Sequence, residues 1–111
     1  MDIELSVIDA GSAVIRCNGR LNMVAAPALK VGIEKLVSEG QARLVVDLAD
    51  ISFIDSSGLG SLIAGLKKAR QAGGNLRIAE ASEQVLTVLR LTNLDRVLHP
   101  YPSVEEASHG W

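Results

Sequence analysis

Aromatic residues are scarce in this sequence, since one Phe, one Tyr and one Trp occur among 111 residues. With an aromatic share of 3% and a hydrophobic share of 48%, the core has to be aliphatic, built from Leu, Ile, Val and Ala. A chain of this length can bury one modest core but not two. We therefore predict a single domain, residues 1–111, with its core at about 3–107 and a loose tail at 108–111.

Cysteine occurs once, at Cys17, which excludes an internal disulfide and is compatible with a reducing cytosol. We expect it to be a small buried thiol. The two histidines, His99 and His109, are far apart in sequence, so the spacing typical of a metal site is missing. The sequence therefore predicts neither a metal nor a cofactor.

Long hydrophobic runs and an excess of positive charge are missing too. Asp2 and Glu4 stand where a signal peptide would be positively charged, and no apolar stretch approaches bilayer length. With 11 Lys and Arg against 13 Asp and Glu, the net charge is -2, so no broad basic field attracts nucleic acid. We predict a cytoplasmic protein without membrane insertion or direct contact with nucleic acid.

The N-terminal third begins with an alternation typical of a strand. Ile3, Leu5 and Val7 lie on one face, and a turn at 9–12 leads to a second strand at 14–17, so a hairpin is expected. A loop follows at 19–22. Apolar residues at helical spacing then predict a helix from Pro27 to the stop at Gly40.

The remainder alternates strands with helices. We predict a central strand at 44–48 and then a helix that carries Leu59, Leu62, Ile63 and Leu66 and ends at Gly73 and Gly74. A strand at 76–79, a helix capped by Ser82 and a short strand at 97–98 are predicted next. Pro100 and Pro102 interrupt regular structure, and a last helix begins with a Ser103–Glu106 capping box. This order indicates an α/β fold, a mixed sheet of four to five strands with about four helices, its later strands parallel.

Asp55, Ser56, Ser57 and Gly58 lie between the central strand and the helix after it. In open α/β sheets, ligands and chemistry gather at the carboxyl ends of strands, where a helix start also offers free amides to an anion. Capping of the helix by one of residues 55–57 is the simpler interpretation. Chemical modification of a hydroxyl is the other.

Three familiar chemistries fail on spacing. A nucleophile elbow needs glycine two residues before its serine, but Ile54 holds that place for Ser56. A dinucleotide fingerprint needs glycine at 63, where Ile63 stands, and no Gly-Lys-Ser/Thr loop occurs. A hydroxyl without a catalytic partner suits a substrate better than an enzyme. A phosphate there would add roughly -1.5 to -2 charges beside Asp55.

The stretch Phe53–Gly60 resembles the signature of the bacterial anti-sigma factor antagonists, the single-domain members of the STAS family. Gly19–Asn22 resembles the family's Gly-x-Leu-Asp turn, Leu44–Leu48 its strand before the signature, and Gly73–Leu76 the Gly-Gly before its fourth strand. The resemblance therefore runs over nearly the whole chain and implies a single STAS domain.

The resemblance implies a switch of partners rather than catalysis. Such a protein, unmodified, binds an anti-sigma factor that is a serine kinase, and the sigma factor is released. The kinase phosphorylates the first serine after the aspartate, here Ser56, which weakens the complex, and a PP2C-type phosphatase reverses the step. We expect the partner to bind at Asn22, Met23, Asp55, Ser56, Ser57, Gly58 and Leu59.

One residue departs from the family pattern. Asn22 replaces the aspartate of Gly-x-Leu-Asp, which keeps an oxygen acceptor but loses the charge. A STAS subunit of another assembly, such as a lipid-transport or stress-sensing complex, is therefore the alternative function. A small hydrolase using Ser56 or Ser57 is disfavoured because the sequence offers no plausible base.

Overall fold

The computed structural model describes residues 2–111 as a five-stranded sheet covered by helices on both faces. The strands are β1 Ile3–Asp9, β2 Ser12–Leu21, β3 Arg43–Ile54, β4 Asn75–Ala79 and β5 Pro100–Tyr101, and the helices are α1 Ala26–Ser38, α2 Ser56–Gln71, α3 Glu83–Leu91 and α4 Val104–Ala107. The strands lie side by side in chain order. β1 is antiparallel to β2 and the later pairs are parallel, so the predicted α/β fold is confirmed.

Two strands are longer than predicted. The predicted loop at 19–22 is wrong, because β2 continues to Leu21 and pairs with the end of β3. β3 runs six residues beyond Leu48 to Ile54, past the end of β4, where Asp47 pairs with Ala79. β2 and β3 thus extend together beyond the rest of the sheet, and their carboxyl ends carry the segments around Asn22 and Asp55.

The predicted strand at 97–98 is also wrong. A 3₁₀ turn at Leu94–Arg96 precedes it, and the Val97 and Leu98 amides donate to the Leu94 carbonyl, as in a helical turn. Leu98 is fully buried, so the apolar pair at 97–98 indicates burial of Leu98 rather than a strand. The last strand instead begins at Pro100. Proline has no amide hydrogen to donate, which is tolerated at the first residue of an edge strand.

The main core lies between the sheet and the helices α1, α2 and α3, and aliphatic side chains fill it as predicted. A smaller cluster on the other face joins Val45 and Ala79 to Ala107 of α4. Residues 108–111, predicted to be a loose tail, contact β4: Arg77 donates to the carbonyls of His109 and Gly110, and its guanidinium lies 4.2 Å from the Trp111 ring centre. None of the helices among residues 2–111 is long and apolar enough to cross a membrane.

Cys17 is fully buried in the main core, as predicted. Burial, with a smaller contribution from the negative charge of Asp47, raises the pKa of its thiol from 9.0 to about 12. Asp47 is itself buried, and its carboxylate accepts from Arg16 Nε at 3.3 Å and from the Ala49 amide at 3.0 Å. The carboxylate thus braces β3 where its pairing with β2 shifts register.

The raised pKa of Cys17 predicts a loss of stability in alkali. Above pH 9.0 the unfolded thiol loses its proton while the folded thiol keeps it up to about pH 12. The unfolded state then binds fewer protons, so the free energy of unfolding falls by about 1.4 kcal/mol per pH unit in that window. The measurement is urea unfolding of the parent and of Cys17→Ala at pH values below and above 9.0. Other groups titrate equally in the two proteins, so the difference between their free energies of unfolding reports the Cys17 thiol. A difference independent of pH would contradict the raised pKa.

Candidate functional site

Asp55 caps helix α2, so neither serine does. Its backbone is extended, and its Oδ1 accepts the Gly58 amide at 2.9 Å, while its own carbonyl accepts the Leu59 amide at 3.0 Å. Ser56 and Ser57 are the first two helical residues. None of the side-chain hydrogen bonds found within residues 2–111 involves either hydroxyl. Among the residues proposed as caps, the carboxylate therefore performs that role and leaves the exposed Ser56 hydroxyl for other chemistry.

Gly58 is the point of closest contact between α2 and the sheet. A Cβ atom there would lie 2.2 Å from the Leu21 carbonyl oxygen and 2.8 Å from Ile54 Cγ1. The Asp55 amide donates to the same Leu21 carbonyl at 3.3 Å, so α2 begins against the end of β2. Gly58 is buried, as is Leu59, and both hold the site in place beneath its surface.

Asn22 organises the neighbouring turn between β2 and α1. Its Oδ1 accepts the amides of Val24 and Ala25, both at 3.1 Å, and its carbonyl accepts the Ala26 amide at 2.8 Å. Only an oxygen acceptor is needed for these bonds, and asparagine supplies one without charge. The turn presents Met23, 72% exposed, and Val24, 84% exposed, at the sheet end that also carries Ser56.

A shallow apolar groove, which we call the α2–α3 groove, begins at Ser56 and follows α2. Its lining residues are Ser56, Leu59, Gly60, Ile63, Ala64 and Lys67 of α2, with Thr92 and Leu94 from the segment after α3. The α2 residues recur at helical spacing on one side of the helix. Gly60 is exposed and a Cβ atom there would contact nothing within 4 Å, so packing within the domain does not require glycine.

The sequence predicts residues at both strand ends of this candidate site but not the groups around them. Residues 22–23 and 55–57, proposed as partner contacts, lie at neighbouring strand ends, whereas Gly58 and Leu59, proposed with them, are buried beneath that surface. Three features were not predicted: the exposed Val24, the groove residues after Leu59, and Gln84, whose side chain hydrogen-bonds both backbone groups of Ile54. A helical-wheel view of α2 could have indicated the groove, since Gly60, Ala64 and Lys67 share one side. No sequence pattern distinguishes Gln84.

A sequence model of the STAS domain matches residues 4–107, which is nearly the whole chain. The chain belongs to the STAS domain family. This STAS protein is 30% identical over 80 residues to the anti-sigma-B factor antagonist of Bacillus subtilis, covering 72% of each chain. The crystal structure of an anti-sigma factor antagonist from Mycobacterium paratuberculosis is 31% identical with a TM-score of 0.80, covering 96% of this chain and 91% of that one. The resemblance read from the signature is thus confirmed.

A more distant structural neighbour shares the fold alone. SpoIIAA of Bacillus, an anti-sigma factor antagonist, has been solved in an unphosphorylated form, 22% identical with a TM-score of 0.82, and in a phosphorylated form, 21% identical with a TM-score of 0.74. The unphosphorylated structure covers 96% of this STAS chain and 92% of its own, and the phosphorylated one 96% of each.

Replacement by alanine should have opposite effects on stability at Gly58 and at Gly60 of the STAS signature. Gly58→Ala forces a methyl group into the Leu21 carbonyl and should lower the free energy of unfolding by about 1–3 kcal/mol, as overpacking does. Gly60→Ala adds a methyl group in open space on a helix and should raise it by up to about 1 kcal/mol. Urea unfolding of both variants tests this, and equal effects would contradict the different packing of the two glycines.

Proposed function

We propose that this STAS protein is an anti-sigma factor antagonist: its unphosphorylated form binds an anti-sigma factor serine kinase, and phosphorylation of Ser56 switches the binding off. The observation that supports this most directly is the exposed Ser56 hydroxyl at the first position of α2, where Asp55 already provides the cap. The serine can accept a phosphate without loss of the cap.

The charge change at Ser56 explains why phosphorylation would weaken the complex. A phosphate adds roughly -1.5 to -2 charges and three strong acceptors next to the Asp55 carboxylate. The groove that begins at Ser56 is mostly apolar, with Lys67 at its other end. A partner packed on the groove would have to leave the phosphate dehydrated, which is costly without a cationic contact. The modified protein should therefore dissociate.

The docking surface that we propose combines the α2–α3 groove with the exposed apolar pair Met23 and Val24. Both flank the strand ends that carry Asn22 and Ser56. Gly60 and Ala64 lack bulk, so the backbone of a partner can approach α2 closely along the groove. An adaptable methionine beside such a groove suits a protein partner.

The kinase is the proposed occupant because it must reach Ser56 as well as bind. The relatives named anti-sigma factor antagonists support this assignment. We propose that a PP2C-type phosphatase removes the phosphate and that the cycle runs in the cytoplasm, where ATP is present. The sigma factor is freed while the unmodified protein holds the kinase.

A catalytic function has less support. Gln84, Asp55 and Ser61 hydrogen-bond the backbone around Ser56, and none of them hydrogen-bonds its hydroxyl. A STAS subunit of another assembly would use the same fold, and the alternative to the switch is binding without phosphorylation. The free Ser56 hydroxyl favours the switch over that alternative.

Phosphorylation of Ser56 is testable by intact mass. The purified protein is incubated with ATP and each anti-sigma factor kinase of its own genome. We expect the gain of one phosphoryl group with the cognate kinase, abolished in Ser56→Ala, because Ser56 is the exposed hydroxyl at the helix start. Ser57→Ala is the matched control and should still be modified.

Two outcomes would contradict the switch. The first is a full gain of mass in Ser56→Ala, which would place the phosphate elsewhere. The second is equal affinity of the kinase for the parent and for Ser56→Asp, which would mean that the partner does not sense the charge. Isothermal titration of the kinase with each variant measures that affinity.

The docking surface predicts a loss of affinity without a loss of stability. Ala64→Arg places a long charged side chain in the α2–α3 groove at an exposed helical position. We expect kinase affinity to fall at least about tenfold, since the partner can no longer approach α2, while the free energy of unfolding changes by less than about 0.5 kcal/mol.

Val31→Arg is the matched control for Ala64→Arg. Val31 is 64% exposed on α1, outside the groove, so its replacement should leave kinase affinity within about twofold of the parent. Undiminished binding by Ala64→Arg would place the docking surface elsewhere on the domain, whatever the fate of Ser56.

A further inference from the structure

Ile54, the last residue of β3, has an outer side that no strand covers. β4 pairs with β3 only as far as Asp47, so the end of β3 is paired with β2 alone. The amide and the carbonyl of one strand residue point to the same side of the strand, and those of Ile54 point away from β2. Without another partner, these two groups would be open just before the Asp55–Ser56 junction.

Gln84, in the first turn of α3, supplies that partner. Its Oε1 accepts the Ile54 amide at 3.0 Å, and its Nε2 donates to the Ile54 carbonyl at 3.3 Å. One side-chain amide therefore replaces the pair of bonds that a neighbouring strand would make. The next residue, Asp55, is held on the opposite side by the Leu21 carbonyl. The strand end is fixed from both sides immediately before Ser56.

We infer that Gln84 is a positioning residue for phosphorylation of Ser56, because its paired hydrogen bonds to Ile54 hold the strand end from which Asp55 and Ser56 follow. This inference rests on the proposed function for its kinetic consequence only. A serine hydroxyl must meet the γ-phosphate in line, and a displacement of about 1 Å slows such a transfer by about a hundredfold. Gln84 does not contact Ser56 and acts through the backbone.

Helix α3 runs from the Gln84–Ile54 hydrogen bonds to the α2–α3 groove. Gln84 lies at its beginning, and Thr92 and Leu94, just after its end, line the groove.

Gln84→Met tests the inference because methionine keeps the length of the side chain and removes both hydrogen bonds. In the variant, we expect hydrogen exchange of the Ile54 amide, measured by NMR, to accelerate about tenfold. With the cognate kinase, we expect kcat for phosphorylation to fall about tenfold or more while KM changes less than about twofold, since the docking surface is untouched.

Two further variants separate positioning from general stability. Glu83→Met changes the neighbouring exposed residue of the same helical turn and should leave both kcat and the Ile54 exchange within about twofold of the parent. Gln84→Glu keeps an acceptor for the Ile54 amide but places an oxygen against its carbonyl. It should give an intermediate kcat at neutral pH, rising as acid protonates the carboxyl group and restores a donor.

The outcomes distinguish this inference from the proposed function. Unchanged Ile54 exchange in Gln84→Met, or an unchanged kcat in a protein that the kinase does phosphorylate at Ser56, overturns the role of Gln84 and leaves the switch intact. If no kinase modifies the parent, the proposed function fails. The exchange measurement then still decides whether Gln84 holds the strand end.

Discussion

The start of α2 is pressed against the end of β2, and the site depends on this contact. It is possible because residue 58 has no side chain: a Cβ atom would lie 2.2 Å from the Leu21 carbonyl. With the helix at this distance, the Leu21 carbonyl accepts the Asp55 amide, and the Asp55 carboxylate accepts the Gly58 amide. One glycine thus brings the strand ends and the helix start together and fixes where Ser56 emerges.

Capping by a carboxylate rather than by a hydroxyl has a functional consequence. If Ser56 were the cap, its oxygen would be committed to a backbone amide, and phosphorylation would disturb the helix that presents it. With Asp55 as the cap, the hydroxyl of the first helical residue is free, and a phosphate there lies in the favourable field of the helix N-terminus while repelled by Asp55. The modification can then alter binding while the fold is kept.

The fold was predictable where local patterns decide it, as for α1 with its early proline and α3 with Ser82 as its cap. The prediction was wrong at the end of β3, which extends beyond its neighbour β4. The end of β3 pairs only with β2, and a side-chain amide from α3 replaces the missing strand, which no periodicity encodes. The signature located Ser56 but also suggested Gly58 as a partner contact. The packing of Gly58 against the sheet was not predictable, because the carbonyl that it meets is 37 positions earlier in the chain.

Asn22 can now be understood from its contacts. Its side-chain oxygen is occupied by two amides of the turn, and that geometry is complete without a charge. A carboxylate there would make the unmodified strand ends doubly acidic together with Asp55, whereas this chain presents one acid beside Met23 and Val24. In the proposed switch, the phosphate therefore joins one carboxylate, that of Asp55, rather than two. The same added charge thus falls on a surface that is less acidic at the outset than one whose turn already carries an aspartate.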